Sequence, residues 1–485
     1  MKINKITSVL LLCIVLMIAM SSCEDFLDKS PNGVLSNTNF YKSESDAIAA
    51  TNSCYTILYD FWIKSIAFEK DIISDDAVKG QGVDLSALTN LDNLNPFPAD
   101  GVISSLWGDY YRGIQKCNLV LDNVPGIQMD QSTKERLLGE AYFLRAYYYY
   151  NLAIRWGGVP LVKTTINADK TPSRATIEET WAFMEQDLTS AIGKLPNRSE
   201  LSAENVGRAD KGAAKSLLGI VYLFQKKWQN SFDIFQQVIN SGEYSLQPNF
   251  SDLFKPEFDN GVEVVFETQF KGGTIDYGNG FNYWVRPRNS STLFGLGFCM
   301  PTQNLVDEFE PGDPRLKYTV IRQGDTISDE VKDYPFQSAW ATETGMNCGK
   351  YVVGIPVGNL AEKHEQNHKN IRYAEVLLSY AEAAFQIGNK TEAVAKINMV
   401  RARARGTNSG ILPDVTTSND ILAAIVHERR VELALEGKRY FDLVRWGLAE
   451  QKLAAKGYKA ARNGLYPIPQ GELDVNPNLK QNPGY

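Results

Sequence analysis

Residues 214–242 read AKSLLGIVYLFQKKWQNSFDIFQQVINSG. Leu218, Gly219, Tyr222, Ser231, Phe235 and Val238 occupy positions 7, 8, 11, 20, 24 and 27 of a tetratricopeptide-type frame, a repeat of about 34 residues. Small residues at positions 8 and 20 let two antiparallel helices approach closely. The large side chains at 11 and 24 fill the seam between them. Residues 377–404, LLSYAEAAFQIGNKTEAVAKINMVRARA, fit the same frame with Ala381, Ala384, Ala393, Ile397 and Val400. Such a helix pair cannot bury its apolar face alone, so the reading predicts helix pairs stacked on their neighbours.

The flanking sequence keeps the helical period. Trp107, Tyr111, Ile114 and Asn118 fall on one helix face. From Thr133 to Trp156 runs an aromatic helix carrying Tyr147 to Tyr150, stopped by Gly157-Gly158 with Pro160 beyond. A helix that is apolar nearly all round is a buried one, so these tyrosines read as core rather than as a ligand platform. Between the two repeat units, Ser245 to Lys369 differs in kind. It holds a strand from Val262 to Phe270, with Val264, Phe266 and Thr268 alternating against Glu263, Val265 and Glu267. Gly272, Gly273, Gly278, Gly280, Gly295 and Gly297 follow, which predicts loops. Helices are expected at Ser418–Glu436 and Arg439–Lys456, and an extended tail from Tyr466 to Tyr485.

The chain has 485 residues, 44% hydrophobic, and a formal charge of −7. That composition excludes a disordered chain and offers no basic surplus for a nucleic-acid partner. Three histidines leave little for His-based catalysis or metal binding. Lys2 and Lys5 precede an apolar run from Val9 to Met20, too short to span a bilayer, which ends in Met20-Ser21-Ser22-Cys23. Small residues before a cysteine resemble a lipobox, so residues 1–22 read as a lipoprotein signal peptide and Cys23 as the lipidated residue. Glu24, Asp25 and Asp28 just after it resemble the export signal of Bacteroidetes surface lipoproteins. Cys54, Cys117, Cys299 and Cys348 are far apart without metal spacing and read as buried free thiols.

Four motifs carry an enzymatic alternative. His364-Glu365-Gln366-Asn367-His368 matches H-E-x-x-H, which needs a helix to set both imidazoles on one zinc ion. Its polar surroundings read instead as a solvated segment entering the helix at Arg372. The charged run Glu428, Arg429, Arg430, Glu432, Glu436, Arg439, Asp442 and Arg445 reads as structural ion pairing. Asp75-Asp76 are adjacent loop acids, which does not establish the separation of a glycosidase pair. Gly278-Asn279-Gly280 is too short for a phosphate loop. No catalytic residue, metal or cofactor is expected.

Taken in order, several blocks resemble the SusD/RagB family of outer-membrane nutrient-binding lipoproteins. They are Ser22-Cys23-Glu24-Asp25-Phe26-Leu27-Asp28, then Leu144-Arg145-Ala146-Tyr147 through Trp156-Gly157-Gly158-Val159-Pro160-Leu161. TQNLVDEFEPGDPR at 302–315, RYAEVLLSYAE at 372–382 and ERRVELALEGKRYFDLVRW at 428–446 follow. Tyr466-Pro467-Ile468-Pro469, Asn476 to Leu479 and Gln481 to Tyr485 close the pattern. The resemblance implies a mainly α SusD-like fold of tetratricopeptide-like helix pairs with a loop-rich region and a few short strands. In domain terms it implies one unit over 23–485, with a helical scaffold at about 38–241 and 370–456 and a ligand-binding insertion at about 245–369. It further implies a non-enzymatic, lipid-anchored protein on the outer-membrane surface. That protein would pass oligosaccharide to a SusC-like TonB-dependent transporter. Peptide binding of the RagB type, and a ligand-free scaffold, are the alternatives.

A sugar ring has an apolar C–H face and a rim of hydroxyls, so it is bound by an aromatic ring with polar side chains beside it. Three segments offer that mixture: Asp75, Asp76, Lys79, Gln81 and Phe97; Tyr277, Asn282, Tyr283, Trp284, Arg286 and Arg288; and Tyr334, Phe336 and Trp340. Trp284 is the leading candidate, with Tyr283, Asn282, Arg286, Tyr277, Trp340, Asp76 and Phe97 around it.

Overall fold

The computed structural model describes residues 40–63, 67–80, 85–166, 168–271, 278–290, 295–328, 333–341, 343–352 and 365–485. Cys23, the leader and Tyr277 lie outside them. The longer helices are α1 (Glu44–Ile63), α2 (Gly101–Asn123), α3 (Gln131–Trp156), α4 (Ile177–Lys194), α5 (Lys211–Phe224), α6 (Trp228–Asn240), α7 (Tyr373–Gln386), α8 (Lys390–Arg405), α9 (Ile421–Leu433) and α10 (Arg439–Trp446). Each helix from α1 to α8 packs on the next in this series, and α9 packs chiefly on α7. The result is a mainly α stack, as the repeat frame predicts.

Local chemistry sets the helix ends. Asp130 caps α3 by accepting from Thr133 N at 2.8 Å. Thr176 and Glu179 form a reciprocal capping box on α4. Helix α3 stops where Gly157 takes φ +75°, a backbone region that costs a side chain dearly. Tyr148 and Tyr149 are fully buried and Tyr147 nearly so. Their hydroxyls find acceptors: Tyr148 donates to Cys54 O at 2.5 Å and Tyr147 to Asn370 Oδ1 at 3.1 Å. The four described cysteines are free and buried.

Three expectations need correction. The strand is Val264–Thr268, paired antiparallel with His368–Arg372, and both strands are buried along their whole length. The Val264–Thr268 strand is shorter than the expected Val262–Phe270, and its alternating acids are paired inside the protein: Glu263 meets Arg372 at 2.8 Å and Glu267 meets Lys369 at 3.0 Å. The predicted helix Arg439–Lys456 breaks at Gly447, whose φ of +72° closes α10 at Trp446. The tail is not simply extended. It forms a short helix, Gln470–Val475, and docks through Trp156 Nε1, which donates to Pro467 O at 2.8 Å.

The charged run from Glu428 to Arg445 is interior. Arg372 donates to Glu436 at 2.7 Å and to Glu432 at 2.6 Å, while Arg315 reaches Glu428 at 2.5 Å and Glu432 at 3.0 Å. Burial alone would raise the Glu432 carboxyl, yet the guanidiniums of Arg403, Arg372 and Arg315 hold it well below its ordinary range. These pairs tie α9 and its C-terminal loop to the strand pair and to the 313–315 turn. No helix among the described residues is long and apolar enough to cross a membrane.

Candidate functional site

Three of the loop segments meet on one side of this scaffold. Ala77–Val78 pairs antiparallel with Met300–Pro301, which joins the first loop to the end of the second. Gly80 continues that contact so closely that a Cβ there would lie 2.0 Å from Gly297 O, and its φ is +90°. The second loop then folds back on the one-turn helix Phe281–Val285. Leu296 N donates to Tyr283 O at 3.0 Å, Gly297 N to Arg286 O at 2.8 Å and Phe298 N to Trp284 O at 2.9 Å. The third segment arrives through Asn289 N, which donates to Trp340 O at 3.4 Å.

On this frame Tyr283, Trp284, Arg288, Tyr334 and Trp340 are half-buried. Trp284 is backed by an aromatic ladder. Its ring stacks on Phe298 with centroids 5.4 Å apart, and Phe298 stacks on Phe68 at 5.3 Å. Trp340 meets Phe336 edge-on at 5.8 Å, with Phe336 fully buried. Such backing removes rotamer freedom before any ligand arrives. Phe68 and Phe298 are not singled out by the sequence, because Phe68 is far from Trp284 in the chain and no spacing links the three rings.

Several expected rim residues point elsewhere. Asn282 is fully buried and Arg286 is 3% exposed, with Arg286 Nε donating to Asn282 Oδ1 at 2.8 Å. They fix the turn that carries Tyr283 and Trp284. Asp76 is fully buried and accepts from Arg430 Nε at 2.9 Å. Asp75 accepts twice from Arg439, at 2.8 and 2.9 Å. Burial raises the Asp76 carboxyl. Asp75 is also opposed by burial, yet the Arg439 and Arg430 guanidiniums pull it below its usual range. Both acids are thus committed to arginines inside the protein. Lys79 is buried too, its Nζ donating to Thr89 Oγ1 at 2.8 Å. Phe97 is 46% exposed but sits in a turn beside the C-terminal tail, where Gln470 N donates to Pro98 O at 2.8 Å and Arg462 to Asn95 Oδ1 at 2.6 Å.

The H-E-x-x-H stretch is not a solvated segment. From Gln366 onward it is buried, and His368 opens a strand instead of completing a helical turn. His368 stacks on Tyr351 at 4.7 Å, and burial pushes its imidazole well below the ordinary value. His364 lies outside the described residues. Among the described residues no group of three or more His, Cys, Asp or Glu side chains is placed to hold a metal ion.

Fold and rim together define a helical-repeat scaffold that presents an aromatic, loop-built surface. A family profile described as "SusD family" matches residues 262–464, and one described as "Starch-binding associating with outer membrane" matches residues 25–223. "SusD-like protein P2" of Formosa agariphila is 29% identical across 97% of this chain and 98% of its own length. Among solved structures, a "Laminarin binding SusD-like protein" is 30% identical, with a TM-score of 0.80 over 92% of this chain and all of its own. "Surface glycan-binding protein A from Bacteroides fluxus" is 26% identical, with a TM-score of 0.79 over 92% of this chain and all of its own. The chain belongs to the SusD family.

Proposed function

We propose that this protein captures an oligosaccharide on the outer-membrane surface, breaks no bond in it, and hands it to a SusC-like TonB-dependent transporter. The carrying observation is that three distant segments, two of which carry the half-buried Tyr283, Trp284 and Trp340, are joined to one another by backbone hydrogen bonds. Half-buried rings backed by Phe298 and Phe336 offer apolar area at little entropic cost, which suits the C–H face of a pyranose. The laminarin-binding relative supports a glycan as the cargo. Commitment of Asp75 and Asp76 to arginines supports binding without hydrolysis. Lipidation at Cys23 would hold the protein at the membrane, since several acyl chains at about 0.8 kcal/mol per buried CH₂ give a stable anchor.

Each stacked ring contributes on the order of 1 kcal/mol beyond its area. Affinity in the micromolar to millimolar range, ~4–8 kcal/mol, then allows both capture and release. Transfer requires that the closed state with the transporter hold ligand better than the open one, because a ligand shifts an equilibrium only by its differential affinity. Calorimetric titration with laminarihexaose, maltoheptaose and a mixed peptide pool tests the reading. Saturable binding of an oligosaccharide is expected. Binding of peptides alone would replace glycan with peptide as the cargo, and release of shortened glycan would end the non-enzymatic reading. Incorporation of labelled palmitate, lost on Cys23→Ala, tests the anchor.

A further inference from the structure

We propose that Arg430 is the positioning residue of this rim, acting through Asp76 on the turn that carries Tyr283 and Trp284. The inference rests on reading the rim as the ligand site. Arg430 lies on α9, with its side chain 2% exposed. Its guanidinium spans two chain segments. Nε donates to Asp76 Oδ1 at 2.9 Å, one N–H group to Glu308 Oε2 at 2.8 Å and the other to Asn304 Oδ1 at 2.7 Å. Asp76 directly precedes the strand Ala77–Val78, and Asn304 and Glu308 follow the strand Met300–Pro301. The fork therefore grips the strand pair at its root.

Thr302 closes the same root, its N–H donating to Asp76 O at 2.9 Å and its hydroxyl to Asp75 O at 2.7 Å. Arg439 holds Asp75 from the other side. From the root a ladder of backbone bonds leads outward. Cys299 N donates to Lys79 O at 3.1 Å, and Phe298 N donates to Trp284 O at 2.9 Å. A planar fork with fixed directions is needed to hold three acceptors at once, and a lysine ammonium supplies only a point charge. A control stands one residue away. Arg429, buried on the same helix, donates to Asp442 at 3.0 Å and Ser379 at 2.9 Å, both in the helical scaffold.

The test compares Arg430→Lys with Arg429→Lys in the mature chain, by calorimetry with laminarihexaose and by amide hydrogen exchange over residues 296–302. Both variants are expected to unfold at lower denaturant. Only Arg430→Lys should weaken binding, by about tenfold, and speed exchange at 296–302. Arg429→Lys should stay within about twofold of the wild type in affinity. Wild-type affinity and protection in Arg430→Lys would overturn the proposal, as would an equal loss in Arg429→Lys. Should Arg430→Lys not fold, the isosteric Asp76→Asn serves, with the same direction expected and the same result overturning it. If the wild type binds no laminarihexaose, the functional reading loses that glycan while the exchange comparison still decides the positioning role.

Discussion

Gly219 and Phe235 touch across the α5–α6 seam so closely that a Cβ on the glycine would stand 2.6 Å from the ring. Ser231 seals the same crossing, its hydroxyl donating to Gly219 O at 2.9 Å. Phe235 is fully buried, so its ring has nowhere to retreat. Gly219→Leu should therefore overpack the seam and cost about 1–3 kcal/mol. Urea unfolding reads this as a lower midpoint at unchanged slope. An unchanged midpoint would mean that the two helices are not held at this separation.

Arg372 meets three carboxylates in the interior, those of Glu263, Glu432 and Glu436. Arg372→Met would leave them without it, and breaking a buried pair from one side costs about 3–5 kcal/mol. Each acid keeps another cation: Arg403 for Glu263, Arg403 and Arg315 for Glu432, and Lys350 for Glu436. The loss is accordingly expected near the lower end, about 3 kcal/mol by chemical denaturation. A stability equal to wild type would show that the remaining cations suffice.

These two regions also show what a sequence can and cannot disclose. The helix pairs were legible because Gly219, Ser231 and Phe235 act within one short repeat, where spacing alone encodes contact. The pairing role of Glu428 to Arg445 was legible as well, since charges at helical spacing among apolar helix positions need partners. Asp76 was misread as a rim residue because its partner, Arg430, is far away in the chain, and an isolated acid in a turn looks solvated. The strand at Val264 has the same limit, since Glu263 and Glu267 look polar until Arg372 and Lys369 are placed beside them. Gly447 ended a helix that its composition would have continued, since one left-handed residue outweighs several good helix formers.

His427 lies between two acids, Nδ1 to Glu308 at 2.8 Å and Nε2 to Glu310 at 3.2 Å. With both ring nitrogens on carboxylates, the imidazole is held as the cation. Burial opposes that charge, but Glu308, Glu428 and Glu310 outweigh it and raise the pKa above its ordinary value. Glu308 is likewise opposed by burial, yet bonds to His427 and Arg430 bring it down to about 2. A raised histidine contributes stability that is present below its unfolded value of 6.5 and fades as pH climbs through the folded one. A depressed glutamate contributes above 4.5 and fades as pH falls toward about 2. The His427 and Glu308 contributions should thus both be present between about pH 4.5 and 6.5, and melting temperature should decline above it as the His427 share is lost. His427→Asn should flatten the alkaline decline, and a profile identical to wild type would remove His427 as its source.

Trp284 serves the core and the rim together, and the two roles can be separated. Its ring stacks on Phe298, so Trp284→Ala removes packing as well as exposed aromatic surface, and should cost about 3 kcal/mol of stability. Trp284→Phe keeps the stack and gives up part of the rim. Trp340 is half-buried against Phe336 on a short turn, so Trp340→Ala should spare more of the fold. If the rim binds a sugar ring, Trp284→Phe should retain most of the stability while weakening laminarihexaose binding several-fold, and Trp340→Ala should weaken it about tenfold. Quenching of tryptophan emission by ligand should shrink in both variants. Should both bind laminarihexaose as tightly as wild type, with emission still quenched in full, the ligand contacts some other part of the molecule and the rim is only scaffold.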